Sequence, residues 1–163
     1  MNKGYASKVK NDELYTPVFA VDPIIKYIPK DKKIWCPFDK EWSAYVQTFL
    51  RGGGYQVVRS HIDDGQDFFE YEPDDYDIIV SNPPFSIKDK ILKRLYDLGK
   101  PFAILLPMNS LQGKGRYELF KQGIQMLTFD SRIGFHNPDC MDARRTGVVL
   151  HPHISAGMYC RRI

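Results

Sequence analysis

Short apolar runs alternate with amphipathic ones along most of the chain, and the two patterns predict different elements. Asp77-Ile78-Ile79-Val80 is a continuous apolar stretch, as expected of a strand covered on both faces in a parallel sheet, and Phe102 to Leu106 after Pro101 is another. Lys33-Ile34-Trp35 and Tyr55 to Arg59, the latter with Val57 and Val58, predict two more strands. The first stops at Cys36-Pro37, because proline has no N–H to give to a central ladder. Helical spacing replaces the strand pattern in between. Tyr45 and Phe49 share one face of a helix over Glu41 to Leu50, which runs into Gly52-Gly53-Gly54, and Ile87, Ile91, Leu95 and Leu98 repeat at helical spacing up to Gly99. Asp22-Pro23 predicts a capped helix opening through Ile24, Ile25 and Ile28, and Ser86 with Asp89 predicts a capping box. A short helix over Tyr117 to Gln122 and strands at Gln125 to Phe129 and Gly147 to Leu150 complete the pattern.

This β-α alternation predicts an α/β fold built on a mainly parallel, doubly wound sheet, with ligands bound beyond the carboxyl ends of its strands. The 163 residues suit one domain over positions 1–163, and neither an internal repeat nor a low-complexity linker marks a boundary or a separate target-recognition domain. An apolar fraction of 43% is enough for a packed core.

The most unusual loop follows the Asp77 to Val80 strand and reads Ser81-Asn82-Pro83-Pro84-Phe85. Its residue types suit one task. An exocyclic amino group on an aromatic ring is a poor nucleophile, because its lone pair is delocalised into the ring. Two acceptors that bind its N–H groups draw the nitrogen toward tetrahedral geometry and aim the lone pair outward. The Asn82 side-chain oxygen and the Pro83 carbonyl can serve, Pro83 and Pro84 stiffen the loop, and Phe85 offers a flat face to a base. A proline pair is also ordinary loop punctuation, so the conjunction of strand, loop and immediate helix start carries the weight here.

Asp77 to Ser86 resembles the acceptor motif of the class I amino-directed methyltransferases, including the DNA adenine-N6 methyltransferases and their phage-type relatives. The resemblance implies a Rossmann-like sheet with an antiparallel C-terminal strand and S-adenosyl-L-methionine as cofactor. It assigns the target amino group to Asn82 and Pro83 and the stacked base to Phe85. It further implies cofactor contacts from Tyr15-Thr16-Pro17, from Pro37-Phe38-Asp39 after the first strand, from His61 or Asp63 toward the ribose, from Asp67 and Phe68 around the adenine, and from Asn82. Cys36 stands where the family usually has an acid, and no glycine follows closely; Asp39 is the substitute carboxylate. His61 replaces the usual ribose-binding acid, and as a neutral ring it has a lone pair to accept with. Trp35 is assigned to the core.

Charge adds only local information. With 23 basic and 20 acidic residues the net charge is +3, which permits polyanion binding without demanding it. Arg132, Arg144 and Arg145, with Phe135 and His136, lie in one late segment able to meet phosphates and an extruded base, and Lys114 and Arg116 form a second basic segment expected to be flexible. A nucleic-acid partner is therefore expected, DNA ahead of RNA, with specificity drawn from these loops, from a second copy or from a specificity partner. The glutamine methyltransferases share the motif, as do guanine methyltransferases, and a degenerate fold that binds without catalysis is the non-enzymatic alternative. Three widely spaced cysteines fit neither a disulfide framework nor a zinc site, the polar Met1 to Asp12 segment lacks a secretory apolar run, and no stretch approaches membrane-spanning length. A cytoplasmic enzyme without metal is the expectation.

Overall fold

The computed structural model describes residues 14–130 and 132–135, together with the backbone of 156–161. Six strands form one sheet: β1 (Lys33–Cys36), β2 (Gln56–Arg59), β3 (Ile78–Ser81), β4 (Phe102–Pro107), β5 (Gln125–Thr128) and β6 (Ala156–Arg161). Their order is β2-β1-β3-β4-β6-β5. The first four are mutually parallel, with Trp35 opposite both Val58 and Ile79, and Val80 opposite Ala103. β6 runs antiparallel between β4 and β5, so the sheet is mainly parallel with one reversed C-terminal strand, as expected. The reversed strand is not one predicted from sequence, however. Gly147 to Leu150 lies outside the described residues, and Ala156–Arg161 takes the role with a sequence, Ala-Gly-Met-Tyr-Cys-Arg, too mixed to show a strand pattern.

Alternate residues along each strand point to opposite faces, and each face has its own cover. Ile34, Cys36, Ile78, Val80 and Ala103 pack against Ile24, Ile28, Tyr45, Phe49 and Tyr55, from the helical segments α1 (Asp22–Ile25) and α2 (Ala44–Gln47) and the turns that continue them. Trp35, Ile79, Phe102, Ile104 and Leu106 pack against Ile91, Leu92, Leu95 and Tyr96 of α3 (Lys88–Leu98). Each of these buried aliphatic side chains contributes on the order of 1.5–3 kcal/mol of transfer free energy, so the register of the central strands is fixed from both faces. The uninterrupted apolar runs of β3 and β4 follow from that double cover.

Local details depart from expectation at the helix ends. Asp22 sits inside the first turn of α1 and makes no capping bond. α2 opens at Ala44 rather than Glu41, because Ser43 accepts a hydrogen bond from Val46 N–H at 3.4 Å, and it continues as a π-helical turn over Thr48–Gly53 that ends at left-handed Gly54. The Ser86–Asp89 capping box does not form. A 3₁₀ turn over Phe85–Ile87 precedes α3, and Asp89 instead pairs with Arg116 at 2.5 Å. That pairing belongs to α4 (Lys114–Phe120), which starts one turn earlier than predicted; the supposedly flexible Lys114 and Arg116 are helical, and Arg116 also donates to the Gln112 carbonyl.

Candidate active site

The carboxyl ends of β1, β2 and β3 and the segment from Leu14 to Thr16 meet at one edge of the sheet. β3 hands over directly to Ser81-Asn82-Pro83-Pro84-Phe85. Asn82 Nδ2 donates to the Leu14 carbonyl at 3.0 Å. A carbonyl can only accept, so this contact fixes the orientation of the amide and turns Oδ1 the other way. Asn82 Oδ1 is buried and has no hydrogen-bond partner among the described residues. Pro83 is buried beside it, and Phe85 is half-buried with Phe135 edge-on at 6.1 Å. Thr16, 8% exposed, likewise has a buried Oγ1 without a partner.

The loop after β1 is tied down instead. Pro37 is buried, and Asp39 is 5% exposed and accepts a short hydrogen bond from Ser81 Oγ and another from Ser43. Burial pushes the Asp39 carboxyl up to about 6, against the opposing pull of those two hydroxyls. The neighbouring Cys36 thiol is held well above its usual range by burial and then by the Asp39 charge, so it stays protonated and is no nucleophile. Phe38 is half-buried with its ring 4.8 Å from that of Phe68. Lys40 pairs with Asp63 at 2.9 Å, linking the loops after β1 and β2, and Trp42 meets Tyr15 edge-on at 4.5 Å.

After β2, Ser60 is held by Cys36 carbonyl and Trp35 Nε1, which places the buried His61 next to the β1 loop. The His61 Nδ1 accepts from Asp63 N–H at 3.1 Å. A neutral ring bonded in this way holds its proton on Nε2, and Asp63 Oδ2 also stands 3.5 Å from Nδ1. Asp67 Oδ1 accepts from Phe69 N–H at 2.9 Å, closing a turn. Phe68 is 3% exposed and packs on Trp35 and Phe38, with the Arg94 guanidinium over its ring, so the half-exposed Phe38 is the one with a face to offer.

Thus Thr16, Phe38, Asp39, His61, Asp63 and Asn82 share this edge; Asp67 closes a turn in the loop after β2, and Phe68 packs into the core beside Phe38. Among the expected nucleic-acid contacts Arg132 is exposed, Phe135 is buried with Ala20, Leu105 and Ile133 rather than offered to a base, and His136, Arg144 and Arg145 lie outside the described residues. The contacts made by Leu14 and Ser81 were not legible beforehand, since a main-chain carbonyl has no residue signature and the serine that opens the loop carries no mark of its partner. Lys40 and Trp42 follow Asp39 closely enough that their charge and ring could have marked them. No group of metal-ligating side chains occurs among the described residues, and no helix there is long and apolar enough to cross a membrane.

No protein-family model and no curated protein matches the chain. Solved structures it is similar to include the 23S rRNA methyltransferase ErmE, at 13% identity over 100% of this chain and 68% of that one, with a TM-score of 0.44. A dimethyladenosine transferase from Plasmodium falciparum aligns at 11% identity over 98% of this chain and 61% of its own, with a TM-score of 0.44. The plantazolicin methyltransferase BpumL, in complex with SAH, aligns at 11% identity over 88% of this chain and 80% of its own, with a TM-score of 0.42. Values this low leave the function to be sought in the chemistry of the site itself.

Proposed function

We propose that the chain is an S-adenosyl-L-methionine-dependent N-methyltransferase whose acceptor is the N6 amino group of adenine in nucleic acid, DNA ahead of RNA. The observation that carries this reading is the buried, unpartnered Asn82 Oδ1, fixed in direction by the bond from Nδ2 to the Leu14 carbonyl. A buried acceptor without a donor costs about 1–3 kcal/mol, a strain expected where a ligand's N–H completes the bond. An amino group offers two such hydrogens, one for Asn82 Oδ1 and one for the Pro83 carbonyl.

The cofactor, when bound, supplies a methyl group already activated on a sulfonium. The chain's own residues have only to bind and orient. Asn82 and Pro83 hold the amino nitrogen so that its lone pair points away from both acceptors, and Phe85 stacks on the base. The fit to the cofactor rests on Thr16 Oγ1, buried without a partner among the described residues, and on the half-exposed ring of Phe38, with His61 and Asp63 proposed toward the ribose. Tyr15 and Pro17 flank Thr16, and Pro37 shapes the loop that presents Phe38. Adenine in a duplex must leave the stack to reach Asn82, and the exposed Arg132 is placed in the chain segment proposed to meet its phosphates.

Incubation with methyl-labelled S-adenosyl-L-methionine and DNA, RNA or protein, followed by digestion and mass identification of the labelled unit, tests the reading. N6-methyladenine from DNA is expected. N6-methyladenine from RNA alone would move the substrate class, methylglutamine would replace the acceptor, and absence of both cofactor binding and transfer would favour a non-catalytic binding module.

A further inference from the structure

Asp39 has a different place from the one its position in the sequence implied. Its carboxylate is almost wholly buried, and both bonds it makes are to protein: Ser81 Oγ donates from the last residue of β3, and Ser43 donates from the cap of α2. Ser81 is bonded covalently to Asn82, whose own amide is anchored on the opposite side by Leu14. The acceptor loop is therefore held at two points, a main-chain carbonyl from the chain's early segment and a carboxylate from the loop after β1.

We infer that Asp39 is a positioning residue, which acts through Ser81 to fix where Asn82 presents its acceptor oxygen, rather than a ligand of the cofactor. This rests on the methyltransferase reading above. The bond crosses 42 positions of sequence between the ends of two adjacent strands, so it couples the loop proposed to face the cofactor with the loop proposed to face the base. Serine hydroxyls donating to a carboxylate make strong, directional bonds when water is excluded, which suits a role in geometry. The ionisable groups on the elements around it are Cys36 and Lys40 on its own loop and His61 and Asp63 beyond β2; Cys36 is held neutral and Lys40 is engaged by Asp63.

The test compares wild type with Asp39→Asn, Ser81→Ala and the double variant, each first checked for a cooperative melt. Calorimetry with S-adenosyl-L-methionine and single-turnover methyl transfer are measured on all four. Each single variant is expected to bind the cofactor within about twofold of wild type and to transfer methyl at least about tenfold more slowly, and the double variant to lose no more than the worse single, because the two residues share one interaction. Cofactor binding weakened about tenfold in Asp39→Asn and unchanged in Ser81→Ala would make Asp39 a cofactor ligand and overturn the inference, as would losses that multiply in the double variant. Should wild type neither bind cofactor nor transfer methyl, the functional reading fails separately. The carboxyl carbon of Asp39, followed by NMR against pH, then decides the link alone: its midpoint near 6 must rise in Ser81→Ala, and an unmoved midpoint overturns it. If Asp39→Asn does not fold, Ser81→Ala still supplies the cofactor affinity, the transfer rate and the Asp39 midpoint, and an unchanged transfer rate or an unmoved midpoint overturns the inference.

Discussion

In the turn that follows β2, two side-chain acceptors meet a nearby backbone N–H: Asp63 N–H donates to His61 Nδ1, and Phe69 N–H donates to Asp67 Oδ1. In the loop that follows β3, the bond that anchors Asn82 uses its donor and leaves its acceptor buried with no donor among the described residues. Both regions lie beyond strand ends on the same edge, where a parallel sheet binds ligands. The difference separates polar residues that build a wall from one proposed to meet a ligand. A satisfied side chain contributes about 0.5–1.5 kcal/mol to the fold, and its loss is felt as stability; an unsatisfied buried one costs about 1–3 kcal/mol unless something binds, so its removal need not weaken the fold.

The sharpest way to break this contrast is Asn82→Ala. Transfer to adenine is expected to fall by on the order of 10²–10³-fold, as when one preorganised hydrogen-bonding group is removed from an active site, with the melting temperature changed little. The anchor to Leu14 disappears as well, so Asn82→Asp is the stricter version: it keeps an acceptor but turns a charged oxygen toward the Leu14 carbonyl. Equal activity in Asn82→Ala, measured by label incorporation, would remove Asn82 from the wall-versus-ligand distinction altogether.

The next effect depends on pH. Burial raises the Asp39 carboxyl from 3.8 to about 6, so the folded protein holds this proton over a range where the unfolded chain has released it. Its contribution to stability is therefore fully present below the unfolded value of 3.8 and declines as pH rises to about 6, by at most roughly 3 kcal/mol from 1.36 kcal/mol per unit. Asp39→Asn should flatten that part of the stability profile in denaturant titrations run at several pH values. An unchanged slope between pH 4 and pH 6 would mean the carboxyl is not buried as described.

Much of the fold was legible because burial on both faces writes itself into sequence. Ile78 to Val80 and Phe102 to Leu106 had to be apolar at every position, and Tyr45, Phe49, Ile91 and Leu95 had to recur at helical spacing. Helix ends were less legible, since Ser43 and Ser86 offer the same hydroxyl and only tertiary context decides which one caps. β6 escaped notice because its place between two strands is set by pairing, not by its own pattern. At the site, Asn82 and Phe85 stood out by residue type. The direction of the Asn82 amide could not, because it depends on a carbonyl from Leu14, 68 positions away. His61 shows the same limit: its residue type allows acceptance or donation, and its contact with a backbone N–H two residues on is not legible in that type.

Phe85 falls between the two classes, since it packs against Phe135 and also has exposed surface. Phe85→Leu keeps the apolar contact and removes the aromatic face. Stacking of a base on such a ring is worth about 1–3 kcal/mol, so KM for the nucleic acid should rise roughly 5- to 150-fold with little loss of stability. A melting point that collapses while KM holds would assign Phe85 to the wall.

The smallest effect, and the one that most sharpens the contrast, belongs to Asp67. Its Oδ1 closes the turn on Phe69 N–H at 2.9 Å, and Glu70 and Tyr71 N–H groups bond to its carbonyl, so its visible work is local. Asp67→Ala should cost about 1 kcal/mol, a fall in Tm of roughly 2–4 °C for a chain of this size. Asp67→Asn retains an oxygen for Phe69 N–H and should recover that loss. The pair of variants separates turn-building from cofactor binding, because an amide can replace the carboxylate in the first role but presents a donor in the second. If the acceptors after β2 are wall, S-adenosyl-L-methionine affinity in Asp67→Asn stays within about threefold of wild type; a tenfold loss with the melting point restored would show that the remaining carboxylate oxygen meets the cofactor's amino group, and that one side chain can hold a turn and a ligand together.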